Sequence, residues 1–222
     1  VGVEALMRWE NETLGRISPV EFISVAEATG HIHLLGEFVL KTVFQELSKL
    51  QDKSSLRISI NVSVHQLNHS RFRLLLNEQV ERYKIAPEHV VLEITESVFI
   101  EDLHNMVHLL NLLREDGYVI SLDDFGTGYS SLSLLNKLPI GELKIDKSFV
   151  RDINSCSQDR ALIHSMIGIG KSLHIPTLAE GVEHEEQART LKELGCDAFQ
   201  GFLFARPMSF DSLQEHLNEL SA

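Results

Sequence analysis

The chain has 222 residues, 43% of them hydrophobic and 23% charged, with a formal net charge of −12. That size and balance describe a globular chain with a sizeable core, and so acidic a chain excludes a general polynucleotide-binding role, which needs basic charge. Two cysteines, Cys156 and Cys196, exclude a disulfide framework and fit a reducing compartment, and no apolar run approaches the roughly 20 residues of a membrane span. An anionic substrate stays compatible with this charge if metal ions and a few local cations invert the field. The chain opens on Val1-Gly2-Val3 without a signal-peptide pattern, and it is expected to be part of a longer polypeptide.

In chain order, Val3-Glu4-Ala5-Leu6-Met7-Arg8-Trp9 reads as a strand that puts Glu4, Leu6 and Arg8 on one face. A polar connection from Asn11 to Ser18 follows. Ser18-Pro19 starts a helix running to about Thr29-Gly30, and a second helical pattern covers Leu34 to Leu50. After a polar break at Gln51 to Ser55, Arg57 to Ser63 alternates as a strand. A helix is expected from Ser70 to Tyr83, a strand from Val90 to Ser97, and a helix from Leu103 to Asp116 that Gly117 stops.

Tyr118 to Leu122 is an apolar strand that delivers Asp123 and Asp124 at its end, before the glycines of Gly126-Thr127-Gly128 and the hydroxyls of Tyr129-Ser130-Ser131. The remaining pattern is a helix at 130–138, a strand at Glu142 to Asp146 with Lys144 and Asp146 on one face, and a helix from Gln158 to Leu173. A strand-to-loop unit from Pro176 to Glu183, a helix from Glu185 to Leu194, a strand at 197–201 and a helix from Phe210 to Leu220 complete it.

Alternation of strand and helix predicts a parallel sheet with helical crossovers. Seven strands are expected, and nearly every one ends in polar, mostly acidic residues. That repetition fits the C-terminal face of a TIM-like (β/α) barrel lacking its first strand, whereas a doubly wound sheet gathers its ligand groups at one switch point.

The residues at that mouth are Glu4, Asn61, Glu93, Glu96, Asp123, Asp124, Lys144, Asp146, Glu180, Glu183 and Gln200. Neighbouring side chains alternate within a strand, so Asp123 and Asp124 converge only where the strand ends; a strand-to-helix turn with an Asp cap explains the pair equally well taken alone. So many carboxylates in one concavity repel unless protonated or bound to cations. All-oxygen ligands with one amide suit Mg²⁺ or Mn²⁺, and two metals bridged by one acid suit phosphodiester hydrolysis. Arg8 and Lys144 are the cations available to face phosphate oxygens.

These residues carry a resemblance. Glu4-Ala5-Leu6 before Arg8-Trp9 is similar to the signature of the EAL domain of bacterial cyclic di-GMP phosphodiesterases. The likeness continues through Asn61-Val62-Ser63, Glu93-Ile94-Thr95-Glu96, Asp123-Asp124-Phe125-Gly126-Thr127-Gly128-Tyr129-Ser130-Ser131 and Lys144-Ile145-Asp146. It ends with Ala179-Glu180-Gly181-Val182-Glu183, Gln200-Gly201-Phe202-Leu203-Phe204 and Arg206-Pro207, so it covers the chain from end to end. It implies one EAL phosphodiesterase domain over residues 1–222, N-terminally truncated, which hydrolyses cyclic di-GMP to pGpG with two Mg²⁺ or Mn²⁺ ions.

The resemblance assigns Glu4, Asn61, Glu93 and Asp123 to one metal, and Asp123 and Asp124 to the second. Glu180 matches either the general base or a ligand of the second metal. Lys144 matches the lysine beside the attacking water, with Asp146 holding it, while Glu96 and Glu183 match anchors of the Asp-Asp loop. The Leu6 backbone, Arg8, Asn61 and Gln200 match substrate contacts. A homodimer, a fused upstream sensor or GGDEF domain, and a cytoplasmic location (including as the cytoplasmic part of a membrane-anchored protein) are also implied. Family members carry a further helix and a strand ending near Tyr-Gln-Pro ahead of this point. The alternative is a catalytically silent cyclic di-GMP receptor module that signals to a fused or partner domain.

Three other motifs are set aside. Asp124-Phe125-Gly126 lacks a His-Arg-Asp catalytic loop upstream. Gly170-Lys171-Ser172 follows Ser165 where a phosphate-binding loop needs glycine, and it lies in a helical pattern. His104 and His108, four apart, have no HExxH around them.

Overall fold

The computed structural model describes residues 1–50, 56–96, 103–128 and 132–220. In chain order the elements are β1 (Gly2–Ala5), β2 (Trp9–Asn11), β3 (Gly15–Ile17), α1 (Pro19–Ala28), α2 (Ile32–Ser48), β4 (Arg57–Asn61), α3 (Val64–Leu67), α4 (Phe72–Tyr83) and β5 (Val90–Thr95). They continue with α5 (Leu103–Glu115), β6 (Val119–Phe125), α6 (Leu132–Leu135), β7 (Glu142–Ile145), α7 (Lys147–Arg151), α8 (Ser157–Leu173), β8 (Thr177–Ala179), α9 (Glu185–Leu194), β9 (Ala198–Phe199) and α10 (Phe210–Leu220). The chain divides into two compact units, Val1–Leu92 with Met208–Ala222, and Glu93–Pro207, and the division falls inside β5.

The seven long-sheet strands neighbour one another in the order β1-β4-β5-β6-β7-β8-β9, without a reversal. β1 pairs with β4, and β6, β7, β8 and β9 pair in succession, all parallel. Sequential order with helical crossovers is the TIM-like (β/α) pattern one strand short of eight, and among the described residues the strand order has no switch point of a doubly wound sheet.

In the first unit, α1 begins with Pro19 in its first turn and buries Phe22 and Ala26, four apart on one face. The longer α2 buries Ile32, Leu40, Phe44 and Leu47. β4 alternates, with Ile58 and Ile60 buried and Arg57 and Asn61 outward. The strands β5 through β7 are buried on both faces, as strands covered by crossover helices must be. The helix α8 buries Ile163, Met166, Ile167 and Gly170, and α9 ends at Gly195 in the left-handed conformation.

Several sequence expectations need correction. The polar connection from Asn11 to Ser18 contains the β2–β3 hairpin, with Trp9 opposite Ile17 and Asn11 opposite Gly15. Asn11 Oδ1 accepts from the amides of Thr13 at 2.9 Å and Leu14 at 3.0 Å, so its side chain builds the turn that local polarity concealed. β1 stops at Ala5, so the strand does not extend alternation to Leu6 and Arg8. Two short helices, α3 and α7, follow β4 and β7 directly, and the second takes Asp146 out of the strand and makes it a helix cap. α6 ends at Leu135, short of the expected residue 138. Gln51 to Ser55, Ser97 and Tyr129-Ser130-Ser131, which entered the expected elements, lie outside the described residues.

Candidate active site

In the second unit, four strands end in one ionic cluster. Lys144 on β7 is buried, with 1% of its side chain exposed, which an ammonium tolerates only when paired. Its Nζ lies 2.6 Å from Glu180 Oε1, 2.8 Å from Glu93 Oε1 and 3.4 Å from Asp123 Oδ1. Glu93 is equally buried, while Asp123 and Glu180 keep partial access to solvent. One cation therefore meets three acids from β5, β6 and the exit of β8, and the local balance stays negative.

The convergence of Asp123 and Asp124 has a specific cause. Both lie inside β6, not past its end, where strict alternation would send them to opposite faces. Asp124 adopts a left-handed backbone, φ 53°, and the pairing of β6 with β7 shifts register between Leu122 and Phe125. This is a β-bulge: one extra residue re-aims the side chains that follow it. The Asp124 amide donates to Asp123 Oδ1 at 3.0 Å, which steadies the irregular turn. As a result, oxygens of Asp123, Asp124 and Glu180 lie within 4.8 Å of one another.

The electrostatics follow from that crowding. Burial, then repulsion from Asp123 and Asp146, pushes the Asp124 carboxyl above the ordinary aspartate range, and Lys144 only partly offsets it. Burial acts upward on Asp146 too, but hydrogen bonds from the Ser148 side chain and amide outweigh it and hold Asp146 below the usual range. Ser148 N donates to Asp146 Oδ1 at 2.9 Å, and Ser148 Oγ donates to the same oxygen.

Glu96 follows β5 and is buried, and its Oε1 accepts from the Gly126 amide at 3.0 Å. It thus ties the Asp123-Asp124 loop to the exit of a neighbouring strand. A Cβ at Gly128 would lie 2.3 Å from Glu96 Oε2, so only glycine lets the loop approach this carboxylate. Gly128→Ala is expected to push Glu96 off the loop and to lower kcat by about tenfold with little change in melting temperature. Steady-state kinetics beside a thermal melt test this, and an unchanged kcat would remove Glu96 from loop control.

Other residues singled out from the sequence take different positions. In the first unit, Asn61 Nδ2 donates to Glu4 Oε1 at 2.7 Å, joining the end of β4 to β1, where Glu4 is in register with Ser59. Leu6 and Arg8 are exposed beyond β1, and the Arg8 guanidinium donates to the Met7 carbonyl at 2.9 Å. In the second unit, Gln200 follows β9 and its backbone bridges β8, with its amide on Ala179 O at 2.8 Å and its carbonyl accepting from Val182 N at 3.0 Å. Glu183 is exposed just before α9.

Sequence reasoning missed Gln66 and Gln187, both buried near strand exits. Gln66 was detectable, because Ser63-x-x-Gln66 matches a capping box, and the structure forms it. Gln187 follows a histidine in the same frame and carried no such signal.

The chain matches the EAL domain family model over residues 1–207. It is 39% identical over 215 residues to the bifunctional diguanylate cyclase/cyclic di-GMP phosphodiesterase MucR of Pseudomonas aeruginosa, covering 96% of this chain and 31% of that protein. The chain spans about a third or less of the length of the curated relatives it matches. Among solved structures, a complex of PaMucR phosphodiesterase with c-di-GMP superposes with a TM-score of 0.89 at 39% identity, over 96% of this chain and 87% of the other. A manganese/cy-diGMP complex of Klebsiella pneumoniae BlrP1 gives a TM-score of 0.79 at 31% identity, over 92% and 51%. No helix among the described residues is long and apolar enough to cross a membrane.

Proposed function

Because the chain belongs to the EAL domain family, we propose that it is a metal-dependent phosphodiesterase that hydrolyses cyclic di-GMP to pGpG. The observation that supports this most is the buried Lys144 beside Glu93, Asp123 and Glu180, a constellation with more acid than one cation balances.

The residues fit divalent ions on chemical grounds. Asp123, Asp124 and Glu180 offer hard oxygen ligands from one small volume. In this reading Glu93 and Asp123 would hold one Mg²⁺ or Mn²⁺, to which the family resemblance also assigns Glu4 and Asn61, and Asp123 and Asp124 would hold the other, with Glu180 beside it. Bound ions supply a water of lowered pKa and neutralise charge on the phosphate.

The chain's own residues supply the rest. Glu180 takes the proton of the attacking water as its oxygen bonds to phosphorus, and the bond from phosphorus to the ribose 3′ oxygen breaks. That leaving oxygen takes up a proton from solvent, giving the linear 5′-phosphorylated dinucleotide. Lys144, held by its three carboxylates, orients the water and stabilises charge that grows on the equatorial oxygens. Asp146 shapes the backbone after Lys144 by capping α7. Glu96 would set the Asp-Asp loop, and the family resemblance assigns Glu183 to the same loop and the Leu6 backbone, Arg8, Asn61 and Gln200 to the nucleotide. The same reading places the chain in the cytoplasm as a homodimer that works beside a fused sensor or GGDEF domain.

The test is hydrolysis of cyclic di-GMP in Mn²⁺, with products separated by chromatography. Formation of pGpG that is lost in Glu4→Ala supports the reading. Nucleotide binding without any pGpG would replace it with a receptor role.

A further inference from the structure

We propose that Gln187 is a positioning residue for Glu180: its side-chain amide locks the segment after β8 onto α7 and so fixes where the Glu180 carboxylate stands. The inference deepens the phosphodiesterase reading and rests on it for the catalytic consequence only.

Gln187 sits in the first turn of α9 with 5% of its surface exposed. Its Oε1 accepts two backbone amides of the segment that carries Glu180, from Glu183 at 2.9 Å and His184 at 3.0 Å. Its Nε2 donates to the carbonyls of Val150 and Arg151, both at 3.2 Å. Both carbonyls belong to α7, the helix that leaves the strand bearing Lys144. One amide thus uses two acceptor sites and two donors at once, a full set for that side chain. All four partners are main-chain groups, so the contact fixes backbone against backbone.

The segment between Glu180 and Gln187 is tightly placed in other ways. Glu180 N donates to Ile145 O at 3.0 Å, tying it to the end of β7. A Cβ at Gly181, which has φ 66°, would lie 2.4 Å from Lys147 Cβ. A Cβ at Gly201 would come within 2.2 Å of Val182 O. Neither position has room for a methyl group, so the exits of β7, β8 and β9 are in direct backbone contact. Among these contacts Gln187 supplies the side-chain bridge, and it spans from α9 to α7. Glu180 reaches Lys144 at 2.6 Å from this frame, a distance that a small shift of the segment would open.

Gln66 repeats the device in the first unit. It accepts from Ser63 N at 2.8 Å and donates to Ile32 O at 3.2 Å, just past the strand that ends in Asn61. Each glutamine is the third residue of the helix that follows a site strand, where its oxygen can reach back to the amides ahead of the helix. The shared placement explains why a neutral amide is used: a carboxylate could accept the amides but would face the carbonyls with lone pairs.

The experiment compares Gln187→Leu and Gln187→Glu with the wild-type chain by steady-state hydrolysis of cyclic di-GMP in Mn²⁺, by thermal melt, and by amide hydrogen exchange over residues 180–187. Below the melting transition, Gln187→Leu should lose about tenfold to a hundredfold in kcat, while KM stays within about threefold. Gln187→Glu keeps the acceptor half but sets a buried carboxylate against the Val150 and Arg151 carbonyls, so it should also lose kcat. A purely structural role would lower the melting temperature and leave kcat per folded molecule unchanged, and that result overturns the proposal. Exchange separates this inference from the functional reading. If the wild-type chain forms no pGpG, the phosphodiesterase reading fails, and faster exchange confined to 180–184 in Gln187→Leu would still support the positioning of that segment. Unchanged exchange there would overturn it.

Discussion

Glu180→Ala is expected to lower the rate of cyclic di-GMP hydrolysis by about a thousandfold while leaving nucleotide binding within a few fold of wild type. Glu180 contributes no bulk to the core, and its carboxylate retains partial contact with solvent, so the fold should survive its removal. What is lost is the acid 2.6 Å from Lys144 that shares a small volume with Asp123 and Asp124. Whether Glu180 takes the proton or also holds an ion, the loss is one of transition-state stabilisation and should appear in kcat. Binding is best measured in Ca²⁺, with turnover measured in Mn²⁺. A variant that hydrolyses at the wild-type rate would take Glu180 out of the chemistry. One that neither binds nor folds would show that its role is structural.

Lys144→Met has the largest expected effect on stability. The methionine fills a similar volume, but it leaves Glu93 buried and Asp123 and Glu180 close by without their shared cation. Breaking a buried pair by deleting one partner costs about 3–5 kcal/mol, because the remaining charge has lost its compensation and cannot reach water. The variant should therefore melt well below wild type in a chelator. Added Mn²⁺ should recover more stability in the variant than in the wild-type chain, since a bound cation takes up part of the charge Lys144 balanced. Turnover should stay low even with Mn²⁺, because in the phosphodiesterase reading Lys144 orients the attacking water, a role a bound metal ion does not replace. Equal melting of the two proteins in chelator would contradict the ionic account of this site.

Both predictions concern one small constellation, and its parts differ in how visible they were in the amino-acid sequence. The strand at β5, the acids at strand exits and the motif series could all be read directly. Period-two runs such as Arg57 to Asn61 need only a half-buried surface to reveal themselves, and the fully apolar β5 to β7 are marked by length and bounding turns. The β2–β3 hairpin was invisible because its turn is built by the Asn11 side chain and its strands have three residues each, too short for a period to emerge. The helices α3 and α7 were missed for the same reason, as four and five residues complete barely one turn.

The sequence by itself determined the order of the seven sheet strands and the longer helices, the acidic strand exits and the EAL motif series, since each of these is carried by residue type and local spacing. Tertiary structure alone decided how the acids meet. The left-handed Asp124 and the bulge beside it depend on how β6 registers against β7, a pairing across some twenty residues that no local pattern encodes. The burial of Lys144 against acids from three other strand ends, and the Gln187 amide joining α9 to α7, likewise arise only when distant segments are brought together. Charge placement along the chain is a local property; compensation of that charge is a property of the packed molecule.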